Sequence, residues 1–468
     1  MRIALVNTNR IKPPVAPIGL EYVAEILISE GHDVHLLDLC WEDDYQTAIG
    51  RFFNNDEYGL VGMTLRNTDD CAYSSRQSFL KSFAEMVMTV RSVSGAFVVL
   101  GGVGFSVMPE DVLSMTGADA GVWGEGEFTM ASLASRLSMR QHWQDLPNLV
   151  WQEGGKRHRS RISFGHLGRL PAMKRRFVDN KRYFREGGQA GFETKRGCPR
   201  SCIYCADPVA KGSRLRLRPP FAVAGELQAL LSQGIDHLHT CDAEFNLSGE
   251  HAMAVCDALI QHGISEKIRW YAYCTPVPFS RDLAKRMRSA GCAGINFGVD
   301  HGDENMLKRL KRDFKPDDVR NAVQWSREAG MNVMLDLLIG SPGESRKSVT
   351  QAIRLMQQTD AQCIGIALGL RVYPGTELAR KLLSGKTTYQ LPANDDPAEP
   401  MFFLEPSIAS DVTGWLNRLI GNDSRFFFFN PEDGHQNYNY NANEVLADAI
   451  RSGHRGAYWD ILRRIRAG

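Results

Sequence analysis

The chain lacks most of the features that mark membrane, secreted and nucleic-acid-binding proteins. Over its 468 residues no apolar run approaches the ~20 needed to span a bilayer. The opening MRIALVNTNRIKPP turns polar too soon to act as a secretion signal. Lysine plus arginine (55) nearly cancels aspartate plus glutamate (54), and the formal charge is +1. No global field therefore calls for nucleic acid or an anionic membrane. There is no short-period repeat, heptad pattern or low-complexity tract. The expected location is the cytoplasm, where cysteine stays a thiol or binds metal. Seven of the ten cysteines (Cys40, Cys71, Cys241, Cys256, Cys274, Cys292 and Cys363) are scattered singly and read as small buried apolar side chains. The other three fall within eight residues.

What is present is α/β patterning in two blocks. In residues 1–140, apolar strands such as RIALVN, DVHLLDL, YGLVGMTL and AFVVLGG alternate with amphipathic helices. That order predicts a doubly wound, flavodoxin-like parallel sheet buried on both faces. Ligands of such sheets bind at the carboxyl ends of the strands, which here read NTNR, TLRNTDD, GGVGFS and GEGE. Residues 141–188 read as a linker with a hairpin turning at Gly154–Gly155. Its basic run KRHRSR reads as a solvated face.

Residues 189–386 contain six β/α units, which predicts a partial (β/α)6 barrel with its chemistry at the C-terminal strand ends. The alternation is lost in residues 387–468, which read as an α+β cap or a dimer surface. There RFFFFNPEDG is an aromatic strand and turn, and NYNYNAN (437–443) and HRGAYWDILRR (454–464) would cap a cavity.

The trio lies in TKRGCPRSCIYCADP, directly after the first strand of the barrel block: Cys198, Cys202 and Cys205. Three thiolates at this spacing can ring one metal centre, and two metals compete. A structural zinc wants four ligands, yet residues 206–236 contain no Cys or His, and His237 and His239 lie far downstream in a strand. A four-iron cluster normally takes four cysteines; three leave one iron open to a ligand that is not protein.

CPRSCIYC resembles the signature loop of the radical S-adenosylmethionine enzymes, aromatic residue (Tyr204) included. The resemblance implies that Cys198, Cys202 and Cys205 hold a [4Fe–4S] cluster whose open iron binds S-adenosylmethionine. Other strand ends match that family in order. TCDAEFN places Asp242 and Glu244 near the methionine amino group, and FGVDHG places Asp300 near the ribose or methionine end. IGSPGES places Gly340 near adenine, and LRVYPGTELA turns Arg371 toward the mouth. Taken singly, an acid at a strand end also serves as a helix cap or ion-pair partner, and SPGES as a turn.

The first block is similar to the cobalamin-binding domain that precedes the radical domain in one large subfamily. The resemblance is carried by PPVAPIGLEYVAEILISEGHDVHLLDL, LVGMTLRNTDD, LGGVGFSVMPEDVL and AGVWGEGEFTM. It implies that cobalamin contacts Thr8, Gly19, Thr64, Leu65, Arg66, Asn67, Gly101, Gly102, Val103, Gly124, Glu125 and Glu127. The glycines are expected to leave room for a bulky corrin and its nucleotide tail. A dinucleotide is disfavoured because no G-x-G-x-x-G follows the first strand. Many cobalamin proteins carry Asp-x-His-x-x-Gly, whose His ligates cobalt from below, and the first 140 residues lack it. Arg66 stands where that lower face is expected, and a guanidinium has no lone pair to offer. In this it is similar to the tryptophan 2-C-methyltransferase type. The ordinary alternative pairs Arg66 with Asp69 or Asp70.

These resemblances imply a cobalamin-dependent radical S-adenosylmethionine methyltransferase that moves methyl from methylcobalamin to a carbon or phosphorus of a small-molecule or peptide substrate. If Arg66 marks the tryptophan type, a polar methylation is expected, and Tyr271 or Tyr273 at the third strand end would serve as base, unless they only pack. The alternatives are a radical oxidoreductase or cyclase with the same cofactors, and a non-catalytic corrinoid and iron–sulfur sensor. Expected partners are the substrate and an electron donor such as flavodoxin or ferredoxin, with no nucleic acid and no membrane, in a monomer or homodimer.

Overall fold

The computed structural model describes residues 1–54, 56–384, 396–428, 441 and 443–467. Its first part runs β1 (Arg2–Asn7), α1 (Ile18–Ser29), β2 (Asp33–Asp38), α2 (Tyr45–Phe53), β3 (Leu60–Thr64), α3 (Leu80–Val93), β4 (Phe97–Gly101), α4 (Val103–Val107), α5 (Pro109–Thr116), β5 (Ala120–Val122), α6 (Glu127–Ser138), β6 (Leu149–Glu153) and β7 (Lys156–Arg159). The sheet order is β2-β1-β3-β4-β5-β6-β7. The strands β1 to β5 pair in parallel. Alternation along β1 sorts the core into two layers: Ile3 and Leu5 pack with α1 and α6, while Ala4 and Val6 pack with α3.

The hairpin turns at Gly154–Gly155, both with positive φ (56° and 75°), the twist that a two-residue turn needs. Its strands extend the first sheet antiparallel, with β6 on β5. Residues 149–159 are thus the edge of the first sheet. His35 sits within β2 and bonds Tyr58 and Asp33.

The second part runs α7 (Asn180–Gly187), β8 (Ala190–Phe192), β9 (Lys195–Arg196), α8 (Asp207–Lys211), β10 (Arg216–Leu217), α9 (Pro220–Leu231), β11 (His237–Thr240), α10 (Gly249–Gln261), β12 (Arg269–Cys274), α11 (Arg281–Ser289), β13 (Cys292–Asp300), α12 (Glu304–Leu310), α13 (Pro316–Glu328), β14 (Asn332–Ile339), α14 (Arg346–Gln357) and β15 (Cys363–Leu368). It closes with β16 (Leu370–Arg371), α15 (Glu377–Leu383), β17 (Phe402–Phe403), α16 (Pro406–Ala409), α17 (Val412–Ile420), β18 (Phe426–Phe428), α18 (Glu444–Arg451) and α19 (Tyr458–Ala467).

The six expected strands form an open parallel array, β8-β11-β12-β13-β14-β15, and β18 adds a seventh parallel strand beside β15. The aromatic strand expected in the cap therefore belongs to the barrel sheet: Phe426 and Phe428 enter its main core. Most of NYNYNAN lies outside the described residues. Among the described residues no helix is long and apolar enough to cross a membrane.

A charged cluster fastens the two parts together. Arg175, fully buried, donates from Nε to Glu21 on α1 (2.6 Å) and from Nη1 to Glu226 on α9 (2.7 Å). Arg218 and Tyr22 also bond Glu226, at 2.6 and 2.9 Å.

Candidate functional site

The cysteine loop leaves β9 through Gly197 (φ 84°), where a Cβ would fall on the carbonyl oxygen of Arg214; only glycine fits there. The loop is pinned by its backbone. Cys198 N donates to Gly212 O (3.0 Å), Ile203 N to Leu310 O (3.3 Å) and Cys205 N to Cys202 O (3.3 Å). Burial pushes all three thiols up, Cys198 to about 11. These sulfurs ionise only beside a strong cationic partner, which a metal cluster is. One cation is already present: Arg312 Nη1 donates to Cys202 Sγ at 3.2 Å. Among the described residues no three His, Cys, Asp or Glu side chains converge as ligands of a single ion. A four-iron cube holds its thiolates further apart, at its corners.

Arg312 organises the acids expected at the strand ends. Its Nη2 donates to Glu244 (3.1 Å) and to Gly298 O (2.6 Å), and its Nε pairs with Asp300 (3.2 Å). Asp300 has φ 62°, a costly conformation for a non-glycine residue, and also accepts from Tyr204 at 2.5 Å. Glu244 Oε2 is buried without a hydrogen bond among the described residues and pairs with Arg200 Nε at 3.8 Å. Burial raises the Glu244 pKa against the pull of Arg312 and Arg200.

Three expected cofactor contacts are also engaged by the protein itself, while Asp242 and Arg371 still line the cavities between the two parts. Asp242 accepts from Thr194 N (2.8 Å), Thr194 Oγ1 (2.5 Å) and Lys195 Nζ (3.3 Å), so its carboxylate braces the approach to the cysteine loop. Arg371 donates to Asp69 at 2.8 Å and ties the barrel to the end of β3. Gly340 donates its N–H to Glu344, which also takes Ser341 N (2.9 Å) and pairs with His301 at 2.8 Å. That turn is closed from within.

On the first sheet, a cavity of about 160 Å³ opens at the strand ends beside Gly19, Thr64, Gly101, Gly102, Val103 and Gly124. A Cβ at Gly19 would meet nothing within 4 Å, so bare backbone there leaves room for a ligand. The reason for Gly102 differs from the expectation. It has φ 99°, and its Cβ would strike the Leu65 carbonyl: it lets two loops pack rather than making room. Thr8 donates to Thr64 O at 2.6 Å, and Leu65 N to Gly101 O at 2.8 Å, so both hold the floor of the site. Glu125 and Glu127 line the cavity while engaging the barrel. Arg196 bonds Glu127 at 2.6 Å, and Arg216 bonds Glu125 at 2.5 Å. Arg196 and Lys211 reach the cavity from the second part. A half-open slot with glycine in its walls suits the tail of a corrinoid.

Between the two parts lie a cavity of about 810 Å³ and another of about 360 Å³. The smaller reaches Tyr204 and Cys205, and Arg66 and Asn67 line both. The alternative for Arg66 is not what the structure shows. Asp69 bonds Arg371 and Asp70 bonds Ser75. Among the described residues the Arg66 guanidinium has no hydrogen-bond or ion-pair partner.

The two tyrosines separate. Tyr271 is buried and donates to Asp460 on α19 at 2.9 Å, so it packs and is no base. Tyr273 lines the large cavity, 39% exposed. Burial and the charge of Asp336 push its phenol up, so from the cavity wall it offers a hydrogen-bond donor. His239, in sequence no more than a remote candidate for a zinc ligand, lines the same cavity.

The family comparisons agree with this geometry. A model described as B12 binding domain matches residues 4–134, and one described as Radical SAM superfamily matches residues 192–356. Fold and site thus define a corrinoid-binding radical S-adenosylmethionine protein. The tryptophan 2-C-methyltransferase of Streptomyces laurentii is 32% identical over 443 residues, covering 81% of this chain and 74% of the relative. The cytidylyl-2-hydroxyethylphosphonate methyltransferase of Streptomyces wedmorensis is 22% identical over 386 residues, covering 70% and 69%. A solved radical S-adenosylmethionine methyltransferase, TsrM from Kitasatospora setae with tryptophan and an aza analogue of S-adenosylmethionine bound, superposes with a TM-score of 0.93. It is 27% identical, and the match covers 100% of this chain and 98% of that one. The chain belongs to the cobalamin-dependent radical S-adenosylmethionine methyltransferases. It is an enzyme of that class, with a [4Fe–4S] cluster, S-adenosylmethionine and cobalamin as its cofactors.

Proposed function

We propose that the chain methylates an electron-rich ring carbon of an aromatic amino acid, tryptophan first, by a two-electron route. The observation that carries this reading is Arg66: a guanidinium without a hydrogen-bond or ion-pair partner among the described residues, on the cavities between the two sheets, where a cobalt-ligating histidine would otherwise be expected. The similarity to enzymes named for tryptophan supports the substrate, and a cavity of about 810 Å³ is ample for it.

When bound, methylcobalamin supplies the methyl group and S-adenosylmethionine renews it. Cys198, Cys202 and Cys205 would hold the cluster, with Tyr204, Arg312 and Asp300 fixing the loop beside it. Gly19, Gly101 and Gly124 would admit the corrinoid tail. Arg66 would lie beside the corrinoid where other cobalamin proteins place a ligating histidine, and would offer the cobalt no protein nitrogen. Tyr273 would orient the substrate from the cavity wall. A reduced flavodoxin or ferredoxin would supply electrons, and the enzyme would act in the cytoplasm as a monomer or homodimer.

Anaerobically reconstituted enzyme given tryptophan is expected to yield a product one CH2 heavier. The EPR spectrum of its cob(II)alamin form is expected to lack nitrogen superhyperfine splitting from a protein histidine. Splitting would contradict the role of Arg66; an unchanged tryptophan mass would remove the substrate.

A further inference from the structure

The imidazole of His239 faces the 810 Å³ cavity at the end of β11. Its Nδ1 lies 2.8 Å from the carbonyl oxygen of Thr240. A carbonyl only accepts, so Nδ1 carries the proton and Nε2 presents a lone pair. Among the described residues nothing donates to that nitrogen. The ring is held in place by its neighbours: Tyr273 lies 4.9 Å away, tilted by 53°, and Tyr271 stacks at 6.5 Å and 11°. Tyr271 is itself anchored to Asp460. Burial lowers the pKa of His239 to about 4, so near neutral pH the ring is a fixed acceptor that does not turn into a donor. Tyr458 and Trp459 line the same cavity, giving it aromatic walls. A preset lone pair between aromatic faces is left without a partner by everything described above, and it asks for a flat ligand carrying an N–H.

We propose that His239 Nε2 accepts the ring N–H of an indole-type substrate and selects it over rings of the same shape without a donor. This bond would seat the ring against Tyr273. It would also shift electron density from nitrogen into the ring, making the neighbouring carbon a better nucleophile toward a methyl group. The inference rests on the aromatic substrate proposed above, and its test uses ring fragments as well as the amino acid, so it reads out whichever amino acid is the natural one.

The probe pair is tryptophan and its analogue with a ring oxygen in place of N–H, together with indole and benzofuran as fragments. Dissociation constants are measured by equilibrium dialysis on the cofactor-loaded enzyme. The wild type is expected to prefer the N–H member of each pair by about 10- to 100-fold, the effect of leaving a site acceptor unpaired. In His239→Leu the preference falls to within about threefold. In His239→Gln, whose amide oxygen can still accept, part of it returns, which separates a lost hydrogen bond from a damaged fold. An unchanged preference in His239→Leu, or no preference in the wild type for either pair, overturns the assignment. Failure of the wild type to methylate tryptophan while indole is still preferred overturns the substrate reading and leaves His239 standing.

Discussion

Replacing Cys198, Cys202 or Cys205 with alanine is expected to remove the brown chromophore and lower turnover by more than about 10³-fold, well beyond the 10–100-fold typical of second-shell changes at metal sites. The physical reason is the loop itself. Its backbone is fixed by bonds to Gly212, Leu310 and the loop's own Cys202 carbonyl, so each sulfur has one place. Burial makes each thiol a poor acid by itself, so the cluster's charge and the thiolates depend on one another. Iron and acid-labile sulfide are measured beside turnover. A variant that keeps its iron and its rate would show that the trio is not the cluster's anchor.

The second large effect lies far from the chemistry. Arg175→Met is expected to cost about 3–5 kcal/mol of stability, because Glu21 and Glu226 stay buried with one cation fewer. Asn180 and Arg218 still reach those carboxylates, at 2.8 and 2.6 Å, but neither restores the lost charge. Replacing Glu21, Arg175 and Glu226 together with apolar residues of similar volume is expected to cost much less, since no charge is then stranded. Urea denaturation of the three proteins checks this, and equal losses for the single and the triple variant would contradict it. Because Arg175 joins α1 to α9, the single variant should also release cobalamin more readily on dialysis.

Much of this fold can be read directly from the chain. Ile3, Ala4, Leu5 and Val6 announce a strand buried on both faces, and the β/α order fixes a parallel sheet. The cysteine spacing and its place after a strand carry the cluster. Roles that depend on distant partners are not legible. That Asp242 also braces Thr194 and Lys195, and that Arg371 pairs with Asp69, could not be read from the sequence. Glu125 and Glu127 keep their place on the cavity but answer to Arg196 and Arg216, which lie in another part of the chain. The run of phenylalanines reads as a strand, yet its pairing with β15 is set by long-range packing. Arg175 sits in an unremarkable basic stretch, and only burial between two acids gives it meaning. His239 had one available signal: a polar residue alternating with buried Leu238 at a barrel strand end.

The most direct test of the account feeds the reconstituted enzyme S-adenosylmethionine labelled in its methyl group and follows the label by mass spectrometry, with and without cobalamin. Labelled methyl is expected on the cobalamin first and then on tryptophan, with no transfer when cobalamin is withheld. Equal labelling of product without cobalamin, or an oxidised product carrying no label, would contradict it.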